Sequence, residues 1–370
     1  MKRVLCIVGS MDAGGAESIL MRIYRNLDKR NYQMDFAVTK DGFYDDEIKS
    51  YGGKIFFITP KTKGLFKNFF SIKKLVKKEN YKYVFRASQH SLSALELLAA
   101  KLGGAENCIY SSSSSGTTSK SFKIRLLHHL FMFMPALFAN TKVAPSTDAA
   151  EFMFGKNCIK SGKAEILQNA VDLNIYKYDV ESRKQIRDEF GIHDKIVIGH
   201  VGRFNYLKNH KKLLEIFKSI KTIEPNAFLM LVGKGELEDE IKKQAKNLGI
   251  MDSIIFTGVR NDVPKLLSAM DVFVFPSLYE GMPNTVIEAQ AGGLPCIISD
   301  TITKEADITN LVKFLSIELP AEEWAKEAIN IIKSGRPNIN DIKDAFIRAK
   351  YDIDSVNNKF IELVFGDISE

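Results

Sequence analysis

Closely spaced cysteines, long apolar runs and nucleic-acid-binding motifs are all missing from this chain of 370 residues. Its four cysteines, Cys6, Cys108, Cys158 and Cys296, include no C-x-x-C pair. That removes a thiolate zinc site, and with Cys6 and Cys296 inside apolar strand-like runs it leaves buried, reduced thiols as the expectation. The longest apolar stretch, residues 131–139, is nine residues with a proline inside, about half of what a helix needs to span a bilayer. The opening MKRVLCIVGS has too short an apolar run for a signal peptide and reads as a first strand. A cytoplasmic protein is therefore expected. Without zinc spacing, a recognition helix or an aromatic sheet motif, nucleic acid is excluded as a partner.

What is present is the balance of a globular protein, 45% apolar and 26% charged. The length suits two domains rather than one core. The net charge of +7 is uneven. Residues 1–175 hold 26 Lys and Arg against 15 Asp and Glu, and the remainder 26 against 30. A basic first half suits a polyanion, an anionic membrane or a phosphorylated substrate, and charge alone does not choose among them.

Apolar runs alternate with helical patterns from the start. KRVLCIVG, YQMDFAVT, KIFFIT, KYVFRAS and NCIYSS read as strands, with a helix after the first loop that aligns Ile19, Leu20, Ile23 and Leu27, and further helices near residues 64–78 and 91–102. A polar stretch at residues 174–194 reads as the linker region. After it KIVIGHVG, AFLMLVG, SIIFTG, VFVFPS and PCIISD read as five more strands. The fold class is α/β: two Rossmann-like parallel-sheet domains facing across a deep cleft, with ligands expected at the carboxyl ends of the strands.

Three loops carry the chemistry. Gly14 and Gly15, with Glu17 just beyond, stand where strand one meets helix one, where free N–H groups favour an anion; a tight turn with no ligand explains them equally well. Gly202, Arg203 and Lys208 follow the strand that opens the second domain. Two fixed cations there suit a diphosphate, although Lys208 also fits the solvated start of a helix. The third is PSLYEGMPNTVIEAQAGGLPCI, residues 276–297. Pro283 fits the first turn of a helix that Gly292 and Gly293 end, which puts Gly281, Met282 and Asn284 at an anion-binding N-terminus. Glu280 lies before that helix and Glu288 on its second turn, two carboxylates placed to accept hydrogen bonds from sugar hydroxyls.

Two glutamates separated by seven residues and followed by Gly-Gly-Leu-Pro resemble the signature of family 4 retaining glycosyltransferases. GRFNYLKNH, LVGKGELEDEI, IIFTGVRNDVPKLLSAMDVF and ILQNAVD agree. The similarity runs over nearly the whole chain and points to bacterial enzymes of capsular or extracellular polysaccharide synthesis. The resemblance implies the GT-B fold, with an acceptor domain over residues 1–172, a nucleotide-sugar domain over 173–345, and a C-terminal helix in 346–370 that packs back on the first domain. It implies that Arg203 and Lys208 hold the donor diphosphate in place of a metal, so that no metal or other cofactor is needed, the nucleotide-sugar being a substrate. Glu288 would bind the ribose and Glu280 the donor sugar, with Gly281, Met282, Pro283 and Asn284 completing the pocket. Gly258, Val259 and Arg260 would lie near the base, and Gly15 would approach the diphosphate from the other domain. In one respect the chain departs from its relatives, which carry a histidine where residues 111–115 here are all serine. Glu17, His90, Ser111 and Ser113 are the candidates for the acceptor side.

Residues 61–82 hold eight lysines interleaved with Leu65, Phe66, Phe69, Phe70, Ile72, Leu75 and Val76. Such a helix suits an anionic membrane, or packs its stripe on the sheet. The similar stretch at 120–139 reads as core. The expected activity is transfer of a sugar from a UDP-sugar to a lipid-linked or oligosaccharide acceptor, peripherally on the inner face of the cytoplasmic membrane. The rivals are a nucleotide-sugar epimerase and a silent partner subunit or glycan-binding protein, the latter supported by the missing histidine.

Overall fold

A computed structural model describes residues 1–12, 14–112 and 122–367, with the backbone alone for 122–125. The chain divides into two compact units, Met1–Ala170 with Lys350–Glu370, and Val171–Ala349. The first unit holds strands β1 (Lys2–Ile7), β2 (Tyr32–Val38), β3 (Ile55–Phe57), β4 (Tyr83–Ser88), β5 (Asn107–Ser112), β6 (Thr141–Ala144) and β7 (Glu165–Ile166). They form one parallel sheet in the order β3-β2-β1-β4-β5-β6-β7. β1 is central, and its Val4, Leu5 and Cys6 are wholly buried, as expected of a strand covered on both faces.

Helix Gly15–Asn26 covers one face through Leu20, Met21, Ile23 and Tyr24. The C-terminal helix Ile353–Phe365 belongs to this unit as well. Its Phe360 lies 5.5 Å from Phe85, and Asn107 Nδ2 donates to Leu363 O at 2.9 Å. On the other face, helix Leu65–Glu79 buries Ile72 and Val76 but leaves Phe66 and Phe70 exposed at its start. The stripe read from the sequence is thus core at one end and surface at the other.

The stretch at 120–139 is core only in part. Its described residues form helices Phe122–Leu130 and Met134–Phe138, with Leu126, Leu127, Leu130 and Leu137 exposed, as is Phe133 between the helices, while His128, Pro135 and Ala139 are buried and Met134 and Phe138 pack on the core. The periodicity identified helices correctly, but it cannot say whether another element covers an apolar face.

The second unit holds β8 (Val197–Val201), β9 (Phe228–Val232), β10 (Ile254–Gly258), β11 (Val272–Phe275), β12 (Cys296–Ser299) and β13 (Val312–Leu315). They form a parallel sheet in the order β10-β9-β8-β11-β12-β13. The polar stretch at 174–194 is no open linker: it contains helix Val180–Phe190, clamped to the unit by Arg183 and Arg187, both paired with Asp271 at 2.6 and 2.8 Å. All four cysteines are buried and unbridged. Among the described residues no helix is long and apolar enough to cross a membrane.

Candidate functional site

In the second sheet the strand order reverses between β8 and β11. Open α/β sheets bind ligands outside the carboxyl ends of their strands at such a switch point. The loops after these two strands are tied together: Leu278 N and Ser277 Oγ both donate to Leu207 O at 2.8 Å, and Asn209 Nδ2 donates to Pro276 O at 3.2 Å. Asn209 itself sits in the left-handed region at φ 52°, which asparagine tolerates. Across this junction Lys208 Nζ donates to Glu280 Oε1 at 2.7 Å, and Ser277 Oγ, 2.7 Å from the same oxygen, shares its single proton between Glu280 and Leu207 O. Lys208 Nζ also lies 4.5 Å from the Phe275 ring centroid, a cation–π contact. Both charged side chains keep 17% exposure, partly desolvated yet within reach of a ligand.

Two glycines make room for this arrangement. A Cβ on Gly202 would come within 3.1 Å of Lys208 Cε. One on Gly233, already at φ 132°, would collide with Gly202 O. Without those side chains, Gly202 N donates to Val232 O and Gly233 N to Gly258 O, each at 2.9 Å, which knits the ends of β8, β9 and β10 side by side.

Glu280, Gly281 and Met282 lead into helix Asn284–Ala291. Pro283 is its N-cap and not a first-turn residue, because its ψ of 90° is outside the helical well. Gly293, at φ 65°, ends the helix as expected. Glu288 falls one turn after Asn284 on the same face and is 5% exposed. The helix is pinned by Gln290, a residue that sequence reasoning missed. Its Nε2 donates to Ala306 O at 2.7 Å and its Oε1 accepts from Ile308 N at 2.9 Å.

Two predicted cations stand apart from Lys208. The Arg203 side chain is 72% exposed and pairs with Glu236 at 3.2 Å. Arg260 is gripped by Asp262 at 2.8 Å and Glu189 at 2.7 Å, which hold its pKa above the ordinary arginine value. Of that segment, Val259 is exposed and Gly258 takes φ 70°. Behind Lys208 lies a pair that the sequence did not announce. The rings of His200 and His210, both buried, meet edge to face at 4.8 Å.

In the first sheet the order reverses between β1 and β4. Gly14 is the N-cap of helix Gly15–Asn26, and burial pushes the pKa of Glu17, in its first turn, upward. Arg86, near the end of β4, pairs with Glu96 and donates from Nη1 to Ile7 O at 2.9 Å. Lys61 Nζ reaches Glu96 Oε1 at 3.2 Å and donates to Ser93 Oγ at 2.7 Å. His90 is half-buried, and that burial, with Lys61 and Arg86 nearby, lowers its pKa. Ser111 stands beside Ala87 near the end of β5, and Ser113 lies outside the described residues. Among the described residues no three His, Cys, Asp or Glu side chains are grouped to hold a metal ion.

Two α/β units of this topology define the GT-B class. The structure of Anabaena Alr3699/HepE in complex with UDP-glucose matches with a TM-score of 0.80 at 18% identity, over 98% of this chain and 99% of that one. The sequence profile of the glycosyl transferases, group 1, matches residues 182–348. EpsF of Bacillus subtilis (strain 168), named as a glycosyltransferase, is 33% identical over 359 residues, 95% of this chain and 93% of its own length. The UDP-Gal:alpha-D-GlcNAc-diphosphoundecaprenol alpha-1,3-galactosyltransferase of Escherichia coli is 25% identical over 82% of this chain and 81% of its own. The chain belongs to the group 1 glycosyl transferases, and it is a glycosyltransferase.

Proposed function

We propose that this enzyme is a retaining, metal-independent transferase that moves a sugar from a UDP-sugar to a lipid-linked saccharide in the assembly of a bacterial capsular or extracellular polysaccharide. The observation that carries the donor side is the Lys208–Glu280 pair bridging the two loops at the β8/β11 switch point. In this reading Lys208 binds the diphosphate and stabilises the negative charge that grows on it as the glycosidic bond breaks, the task a divalent ion performs elsewhere. Arg203 exchanges its exposed partner Glu236 for the same diphosphate, an exchange that solvent screening of so exposed a pair makes easy. Amide groups around Gly281 to Asn284 hold the phosphate and sugar, Glu280 the sugar and Glu288 the ribose. Attack by the acceptor hydroxyl from the face of the departing phosphate, whose oxygen takes the hydroxyl proton as the sugar–phosphate bond breaks, retains configuration and needs no protein nucleophile. The E. coli relative, which uses UDP-Gal and a diphosphoundecaprenol acceptor, supports both substrate classes. The lysines of residues 61–82 with exposed Phe66 and Phe70 would keep the enzyme at an anionic membrane.

The test is a panel of nucleotide-sugars assayed by thermal shift, nucleotide release and transfer to a lipid-linked saccharide, with and without EDTA. A UDP-sugar is expected to stabilise the protein and to turn over equally in EDTA, giving a product whose anomeric proton coupling matches the donor. Loss of turnover in EDTA restored by magnesium would overturn metal independence, and an inverted product would overturn retention. Donor binding without turnover on any acceptor would favour the silent-subunit reading, and interconversion of donors without acceptor the epimerase.

A further inference from the structure

We propose that Lys234 reads the base of the donor nucleotide: its ammonium donates to the carbonyl oxygen at position 4 of a uracil ring and so sets a preference for uridine over cytidine nucleotides. This deepens the reading of a UDP-sugar donor and rests on it.

Lys234 stands on a turn whose backbone is fixed on both sides. Gly233 N donates to Gly258 O at 2.9 Å, Phe204 N to Lys234 O at 3.1 Å and Leu237 N to Phe204 O at 3.1 Å. Neither neighbour has room for a side chain, since a Cβ on Gly233 would collide with Gly202 O and one on Gly235 with Phe204 O. The turn therefore holds Lys234 in one place, between the ends of β9 and β10. Its side chain runs along β10, where a Cβ on Gly258 would come 3.2 Å from Lys234 Cε. Because Gly258 has none, the lysine stem lies against the end of that strand.

Charge is the second argument. The three cations predicted for the donor all have acidic partners: Lys208 has Glu280, Arg203 has Glu236, and Arg260 has Asp262 and Glu189. The acids near Lys234 in its own segment are engaged as well, Glu236 by Arg203 and Glu238 by Lys242. Lys234 is exposed, and among the described residues it forms no ion pair and its ammonium donates no hydrogen bond. It is a fixed cation with nothing to answer it.

Position decides which part of a donor meets that cation. Lys208 bridges the loops after β8 and β11, whereas Lys234 and Gly258 mark the junction of β9 with β10. Neighbouring strands are about 4.8 Å apart, so the two junctions are separated by two strand intervals, roughly 10 Å. With the diphosphate at Lys208, a group that far away is met by the nucleoside end of the donor. The sugar, the diphosphate and the ribose already have Glu280, Lys208 with Arg203, and Glu288; the base is the part that no side chain has yet been given. An ammonium carries three donors and no acceptor. Uracil presents a carbonyl at position 4 and cytosine an amino group, so Lys234 bonds to the first and sets donor against donor with the second. Val259, next after Gly258 and 56% exposed, gives apolar surface for the face of the ring.

The experiment measures binding of UDP and CDP to the full chain by calorimetry at an ionic strength of about 0.15 M, which screens exposed charges beyond roughly 8 Å and so suppresses a general attraction for phosphate. The native protein is expected to bind UDP at least about tenfold tighter than CDP, the usual worth of a hydrogen bond to a charged group. Lys234→Met keeps the stem over Gly258 and is expected to weaken UDP about tenfold or more without weakening CDP, which erases the preference. Lys234→Gln, whose amide can donate or accept, is expected to bind the two nucleotides about equally. Thermal unfolding of both variants without nucleotide should match that of the native protein, because the side chain is exposed and bonded to nothing among the described residues. Unchanged UDP affinity in Lys234→Met would overturn the proposal. Equal losses for UDP and CDP would overturn it too, making Lys234 a phosphate contact, as would a native protein that binds UDP no tighter than CDP. Failure of the native protein to bind UDP at all would instead strike the donor reading, and the proposal with it.

Discussion

Lys208→Met is expected to lower transfer by at least about 100-fold, the usual loss when one preorganised charge-stabilising group is removed from a developing anion. The substitution keeps a side chain over Phe275 and removes the ammonium that holds Glu280 at 2.7 Å. Glu280 keeps the Ser277 hydroxyl as a donor and retains 17% exposure to water, so its carboxylate is not stranded. The fold should survive: the loops after β8 and β11 stay joined through Leu207, Asn209 and Pro276, none of which depends on the lysine charge. Steady-state kinetics with parallel thermal unfolding separate the two roles. A catalytic Lys208 gives a normally folded enzyme with kcat reduced more than KM is raised, because leaving-group charge is fully developed only in the transition state. Transfer within about threefold of the unsubstituted enzyme would end the assignment, and a matching collapse of thermal stability would make the pair structural.

That pair was half legible in the sequence. Each of its loops carries its own local marks: GHVGR closes an apolar run, and Pro283 with Gly292 and Gly293 brackets a short helix. The strands β1 to β5 and β8 to β12 were readable for the same reason, as apolar runs bounded by glycine, proline or polar residues. Those missed were the short or edge strands. β7 is two residues long, β6 is only TKVA, and β13 leaves Lys313 exposed in the middle of VKFL, so none shows a continuous run. Partner choice was not legible at all. Nothing near Arg203 announces Glu236, and nothing near Arg260 announces Glu189, 71 residues earlier. Coverage is equally non-local, which is why the whole of residues 120–139 looked like core although Leu126, Leu127, Leu130, Phe133 and Leu137 are exposed. His200 and His210 escaped notice because a strand and the helix that follows it bring together side chains whose spacing matches neither period.

Acidification is expected to destabilise the second unit through those two histidines. His200 Nδ1 lies 2.9 Å from Val274 O and must carry its proton toward that carbonyl, so Nε2 presents a bare lone pair. Neither that nitrogen nor either ring nitrogen of His210 has a hydrogen-bond partner among the described residues. The surroundings are Phe204, Phe273 and Phe275, with Lys208 as the neighbouring charge. Burial, followed by His210, drives the His200 pKa well below the ordinary value of 6.5, and burial with Lys208 brings His210 from 6.5 to about 4. Between those limits the unfolded chain binds protons that the folded one refuses, so stability is greatest above pH 6.5 and falls as the pH drops toward 4. For His210 alone the loss approaches roughly 3 kcal/mol, at 1.36 kcal/mol per pKa unit. The single tryptophan, Trp324, is fully buried in this unit, so its fluorescence in a urea titration reports the unfolding directly. From pH 7 to pH 5 the midpoint should fall in the native protein and fall less in His210→Leu, which loses no hydrogen bond and leaves no imidazole to take up a proton on unfolding. Carboxylates titrate in both, so the difference between the two proteins isolates the histidine. Equal shifts would refute the linkage. A reduced shift would show that the site keeps these rings neutral at working pH, leaving the Lys208 ammonium as the cation beside Glu280.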